Sequence, residues 1–352
     1  MCACCAAQPD HPDPKAHHLQ LLARALRGYL ELSHDDPGVY AVFMDFLSLF
    51  QKGPDGQERT PSEGALFGKA LGSLAEWYSH PNTTVLKLSR LPEGYPDGFT
   101  FPTDIVPNTA DYHGRGWCFT ESAVAGLAKH ARASLDLGLL PPEKAGDMNL
   151  SVLDVWNLCK VQRAPPLTPV EFARQLATKS FTSKKADMPT VLRLYEQAYT
   201  SRLGELKSWD LSGLDWDDDA AKQVAAVLAS GVAAKIALIN LRGNRITATG
   251  LHAIANAVYS RGADGHLVVP KLYSVMLDGD HGDVKRDGQG RWTAPVVDGE
   301  LKAAIERFST SNLACWHAAE AIRKGGTLVS NLSEERQTFF ARGQALGLAI
   351  GP

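Results

Sequence analysis

Apolar residues recur at helical spacing over residues 17–32, where Leu19, Leu22, Leu26 and Tyr29 fall on one face. Residues 39–46 (VYAVFMDF) form a continuous run rich in β-branched and aromatic side chains, which predicts a buried strand. After the loop signal Gly53-Pro54-Asp55-Gly56, the helical period returns over 62–78, with Leu66, Ala70, Leu71, Leu74 and Trp77 on one side. Ser62 suits the cap of that helix and Glu63 the positive end of its dipole. Residues 83–88 (TTVLKL) predict the next strand, followed by a Pro/Gly-rich excursion from Pro92 to about Tyr112. Helix is predicted over 116–133, strand over 150–155, and helix over 170–177 and 188–203. Alternation of this kind over 17–200 predicts a parallel α/β sheet.

From residue 201 the period changes. Trp209-Asp210-Leu211-Ser212-Gly213 aligns with Ile239-Asn240-Leu241-Arg242-Gly243, and Trp216, Ala220, Val224 and Leu228 fall on Ile246, Gly250, Ile254 and Val258. Every pair is 30 positions apart. Each copy reads as a short strand, a tight turn and a helix. Residues 201–262 thereby resemble two consecutive leucine-rich repeats, a module used mostly to bind other macromolecules. The second copy, LINLRGNRITATGLHAIANAV, is similar to the ribonuclease-inhibitor-like class, and Asn244 stands where the family's asparagine hydrogen-bonds the turn backbone. The first copy carries Leu214 at that place and an acidic run, 217–219, which reads as helix N-terminal chemistry. Residues 273–278 (YSVMLD) predict a third strand, and Asp287-Gly288-Gln289-Gly290 a hairpin turn. Helices near 313–324 and 333–346 read as a cap closing the stack. The expected division is a disordered tail over 1–16, an α/β domain over 17–200, repeats over 201–290 and capping helices over 291–352.

Composition narrows the function classes. A chain of 352 residues with 44% hydrophobic and 21% charged residues has the usage of an ordinary globular protein of two or three domains. A net charge of −3 argues against a dedicated nucleic-acid binder. No run approaches the roughly 18 apolar residues of a membrane span, and no secretory leader pattern opens the chain. Six cysteines make no disulfide scaffold at this length, so a reducing, cytoplasmic setting is expected. Cys2, Cys4 and Cys5 lie near His11, His17 and His18 without a recognised zinc spacing, and no metal site is expected. Asp278-Gly279-Asp280-His281-Gly282-Asp283 looks like a calcium loop but has Gln289 where the bidentate glutamate belongs.

The informative segment of the first half is 83–127. A strand ends in Leu88-Ser89, a long loop follows, and Tyr112-His113-Gly114-Arg115-Gly116-Trp117-Cys118-Phe119-Thr120-Glu121 opens a helix. This resembles the Toll/interleukin-1 receptor (TIR) family, where a strand ending in serine precedes a tyrosine, then Trp-Cys, then a glutamate opening the third helix. Asp45-Phe46-Leu47-Ser48-Leu49-Phe50-Gln51 further resembles the D-x-x-S-x-x-Q run of TIR-like proteins of protists and algae. The resemblance covers about 17–200 and implies a flavodoxin-like parallel sheet. The tail MCACCAAQPDHPDP holds no predicted strand, so the expected sheet lacks the family's first strand unless upstream sequence supplies it.

The TIR resemblance implies two functions. One is assembly, with the TIR-like module associating with its own kind and the repeats contacting a protein partner, as in innate-immune and cell-death architectures. The other is cleavage of the nicotinamide–ribose bond of NAD, for which the glutamate after Trp-Cys, Glu121 here, is the essential carboxylate. A carboxylate there stabilises oxocarbenium charge or holds the ribose hydroxyls. By position, Asp45, Ser48, Gln51, Ser89 and Trp117 are the candidate nucleotide-binding residues. No Walker A, G-x-G-x-x-G or G-x-S-x-G motif offers another chemistry.

Overall fold

The computed structural model describes residues 2–4, 13, 15–32, 41–53, 57–91, 97, 109–129, 133–181, 183–272, 274–276, 285–286 and 292–293. The chain is of mixed helix and strand with small parallel sheets, and it divides into two compact units: Met1–Arg163 with Pro169–Tyr199, and Ala164–Thr168 with Thr200–Pro352. Among the described residues no helix is long and apolar enough to cross a membrane.

The first unit is organised around a three-stranded parallel sheet of β1 (Cys2–Cys4), β2 (Val85–Leu88) and β3 (Ser134–Asp136), with β2 in the middle. Its register sets Ala3 beside Lys87 and Lys87 beside Asp136. Around it run α1 (His17–Leu32), α2 (Asp45–Ser48), α3 (Pro61–Ser79), α4 (Gly116–Gly126), α5 (Pro142–Ala145), α6 (Val152–Leu158), α7 (Pro169–Leu176) and the start of α8 (Lys184–Glu205). One face of the sheet is apolar: Leu86 and Leu88 of β2 and Leu135 of β3 pack with Leu22 and Ala25 of α1 and Val155 of α6. On the other side of α4, Phe119, Phe172 and Tyr195 stack in sequence at 5.3 and 3.8 Å and bind α4 to α7 and α8. Gly116 opens α4 hard against Phe181; a Cβ there would stand 2.0 Å from a ring carbon, so no larger residue fits.

Helices α1, α3, α7 and α8 and strand β2 lie where the period places them. Several expectations are corrected. The run 39–46 is not a strand within its described part: 41–43 are irregular and Asp45–Ser48 make one helical turn, because Ser48 Oγ accepts from Met44 N at 3.1 Å and closes it. The expected strand over 150–155 is helix α6; Ser151 and Asp154 form a reciprocal capping box that outweighs the β-branched composition. The helix expected over 116–133 stops at Gly126, and the chain turns to give β3. Finally, the tail does contribute a strand, Cys2–Cys4. Three residues show no alternation, so a strand defined only by backbone pairing to β2 leaves no mark in the pattern. At α3 the cap is Thr60 rather than Ser62, while Glu63 has the reciprocal role, its carboxylate accepting from Thr60 N at 2.9 Å.

The second unit follows the end of α8 with β4 (Ser208–Asp210), α9 (Asp218–Ala229), β5 (Leu238–Asn240), α10 (Ala248–Tyr259) and β6 (Ser274–Met276), and the three strands form a parallel sheet. Ser208, Trp209 and Asp210 pair with Leu238, Ile239 and Asn240, an offset of 30 at every rung. The next rung, Ile239 to Val275, spans 275 − 239 = 36 positions. Trp209, Ile239 and Val275 form one buried row, at 1%, 0% and 3% exposure. Asn244 uses its whole side chain: Oδ1 accepts from Leu214 N and Trp216 N, each at 3.1 Å, and Nδ2 donates to Leu211 O and Leu241 O, each at 2.8 Å. Gly213 and Gly243, again 30 apart, hold left-handed φ of +61° and +77° at equivalent turns.

The acidic run is structural. Asp217 caps α9, Asp218 accepts from Thr247 N and Gly250 N in the next copy, and Asp219 pairs with Lys222. The expected hairpin is present as antiparallel β7 (Lys285–Arg286) and β8 (Trp292–Thr293). The expected helices near 313–324 and 333–346 and the calcium-like stretch 278–283 lie outside the described residues.

Candidate functional site

β2 reads Val-Leu-Lys-Leu and is buried along its length. Successive side chains of a strand point to opposite faces, so Leu86 and Leu88 enter the apolar core and Lys87 occupies the opposite face. Lys87 is only 5% exposed. Its register neighbour Asp136 lies on the same face, as does Ser89 two residues on, and Ser89 Oγ donates to Asp136 Oδ1 at 2.6 Å. That oxygen also accepts from Gly138 N at 2.8 Å, so it is engaged by the strand ends rather than by the lysine. Among the described residues, Lys87 Nζ makes no hydrogen bond and no ion pair within 4 Å. Burial lowers its pKa, and the charges of Asp136 and Glu121 oppose that shift only in part.

Helices α2, α3 and α4 bring further polar groups to the same place. Tyr78, near the end of α3, is 2% exposed. Burial pushes its phenol well above the ordinary tyrosine value, and the carboxylates of Glu121 and Asp45 add to the shift. The hydroxyl makes no hydrogen bond of standard geometry, yet Glu121 stands close enough to hold its proton in place. Glu121 is half-buried in α4. His113 sits at the solvent edge of the face; burial lowers its pKa first, then the Lys87 charge, against Asp136 and Asp111. Cys159, packed in the core and near Asp136, is pushed up to about 12 and is inert as a nucleophile.

The candidate residues therefore divide. Glu121 and Asp45 converge on Tyr78, and Ser89 joins the same face through Asp136. Trp117 is half-buried one turn ahead of Glu121 on α4. Ser48 and Gln51 serve their own turn: Ser48 closes α2, and Gln51 Nε2 donates to Leu49 O at 3.0 Å. Ser48 also lines, with Phe50, Leu66, Phe67 and Trp77, a separate apolar cavity of about 300 Å³. Sequence reasoning missed Lys87, Asp136 and Tyr78. A charged residue interrupting the apolar run TTVLKL was the available signal for the first of them.

Chemically the described residues of the face supply three carboxylates, those of Glu121, Asp45 and Asp136, two buried phenols, those of Tyr78 and Tyr112, and the amine of Lys87. Its net charge is negative, which favours neutral or cationic ligands over anions. Among the described residues no three His, Cys, Asp or Glu side chains are grouped to hold a metal ion. No family model, no curated protein and no solved structure matches the chain.

Proposed function

We propose that the chain is a signalling and interaction protein, in which leucine-rich repeats of the second unit bind a protein partner and a TIR-like, flavodoxin-like first unit self-associates. The observation that supports this most is the 30-residue register of β4 on β5, bridged by three hydrogen bonds of Asn244 to Leu211, Leu214 and Trp216. Such a bridge ties one copy to the next and is the feature that lets a short solenoid present a continuous strand face. With Trp209, Ile239 and Val275 buried, the alternate row of Asp210, Asn240 and Met276 forms that face; Asp210 is exposed. Asn240 Nδ2 donates to Asp210 Oδ1 at 3.1 Å and holds the row in order. Light scattering over a wide range of protein concentration tests the self-association half: the mass is expected to rise with concentration, and a constant monomer mass counts against it.

A second reading, cleavage of NAD by Glu121, is favoured by one specific observation: Glu121 and Asp45 meet at a buried phenol on the polar face of the sheet. Two neighbouring carboxylates suit an oxocarbenium-like transition state. Nicotinamide release from NAD decides it. The reading expects turnover in the native chain and a loss of at least about a hundredfold in Glu121→Ala; absence of turnover, or equal rates in the two proteins, removes it.

A further inference from the structure

The cavity beside α3 belongs to neither reading, and of the candidate nucleotide residues only Ser48 touches it. Its walls are apolar: Leu49 and Phe50 follow α2, and Leu66, Phe67, Ala70 and Trp77 belong to α3. Three of these large side chains stay open to solvent, Phe50 at 45%, Leu66 at 50% and Trp77 at 43% exposure, so a hollow of about 300 Å³ keeps unburied aromatic walls. The walls are braced. The Thr60–Glu63 capping box fixes the start of α3. Trp77 meets Phe43 edge to face at 4.8 Å. Arg59 joins the two sides: its guanidinium stands 3.7 Å over the Phe67 ring, and its Nε donates to Phe50 O.

The charge at this cavity is positive. The two serines of its lining are engaged within the chain, Ser48 Oγ with Met44 N and Ser73 Oγ with Lys69 O. Lys69 lines the cavity from an exposed position on α3 and forms no ion pair among the described residues. Arg59 adds a second positive charge beside Phe67. The carboxylates that feel Arg59 are held elsewhere: Glu58 pairs with Lys52, and Glu63 accepts from Thr60 N and Oγ. We propose that the cavity binds a small free carboxylic acid with an aromatic body, the ring against Phe50, Phe67 and Trp77 and the carboxylate on the Lys69 ammonium. Burying the ring and the exposed walls together removes apolar surface from water. The carboxylate stays at the rim, where pairing with an exposed lysine avoids the desolvation that a buried ion pair costs. A volume of about 300 Å³ is at the lower end for ligand sites, so a one-ring acid fits and a dinucleotide does not.

Titration calorimetry of the full chain with 4-phenylbutyrate, 4-phenylbutanol and 4-phenylbutylamine at neutral pH tests the assignment. The acid is expected to fill one site per chain and to bind on the order of tenfold more tightly than the alcohol, since a hydrogen bond to a charged partner exceeds a neutral one by about that factor. The amine is expected to bind most weakly, and added salt to narrow the gap between acid and alcohol. Lys69→Gln, at an exposed position, is expected to bring the acid close to the affinity of the alcohol and to leave the alcohol unchanged. Ala70→Trp fills the cavity and is expected to abolish binding of both, with helix content retained by circular dichroism. Equal binding of acid and alcohol, acid binding undiminished by Lys69→Gln, or the absence of saturable binding overturns the assignment. The titration contains neither NAD nor a protein partner, so its failure is distinguishable from failure of the readings above.

Discussion

At the scale of single residues, the polar face of the first sheet is governed by alternation along β2. A run of four buried positions holding one lysine forces a choice between solvation and burial, and the chain buries it beside Asp136 and Glu121. The consequence is measurable. The folded chain holds the Lys87 proton more weakly than the unfolded chain does, whose value is the ordinary 10.5. Between the depressed folded value and 10.5 the unfolded state binds more protons, so stability rises with pH across that window, and the full penalty is present below it. Lys87→Met keeps the length and removes the charge. It is expected to raise neutral-pH stability by about 1–3 kcal/mol and to flatten the alkaline rise, both read by urea unfolding at several pH values. A decrease in stability would mean that the ammonium is paired after all.

At the scale of elements, legibility depended on whether a feature was periodic. Helices α1, α3, α7 and α8 and the 30-residue repeat were readable because their signals recur over many residues. The α6 segment was misread because its apolar composition is short, and the deciding feature is a two-residue capping box, Ser151 with Asp154. β1 and β3 were missed because three-residue strands take their identity from pairing rather than pattern. The candidate site was half visible: Glu121, Asp45 and Ser89 came from a motif resemblance, whereas Tyr78 and Asp136 acquire meaning only once α3 and β3 are placed. In the repeat, Asn244 was legible and its role is quantitative. Asn244→Ala leaves Leu214 N, Trp216 N, Leu211 O and Leu241 O without that partner, and is expected to destabilise the second unit by about 2–4 kcal/mol with an unchanged denaturant slope. A loss under about 0.5 kcal/mol would show that the copies are held by the Trp209–Ile239–Val275 row alone.

At the scale of the whole molecule, two units of different build share one chain, one with a polar-faced parallel sheet and one with a repeating strand–turn–helix. The proposed partner site is the strand row of the second unit, Asp210, Asn240 and Met276. The repeat row is short and mostly polar, so binding there rests on specific side chains rather than on apolar area. The most direct measurement is quantitative affinity capture with the full chain and with Asp210→Arg, a change on the strand face that leaves Asn244 and the buried row untouched. The interaction reading predicts one polypeptide recovered in stoichiometric amount with the native chain, reconstituted from purified components, and lost at least about tenfold with Asp210→Arg at unchanged thermal stability. Recovery of nothing stoichiometric, or of the same polypeptide equally with both proteins, would contradict it.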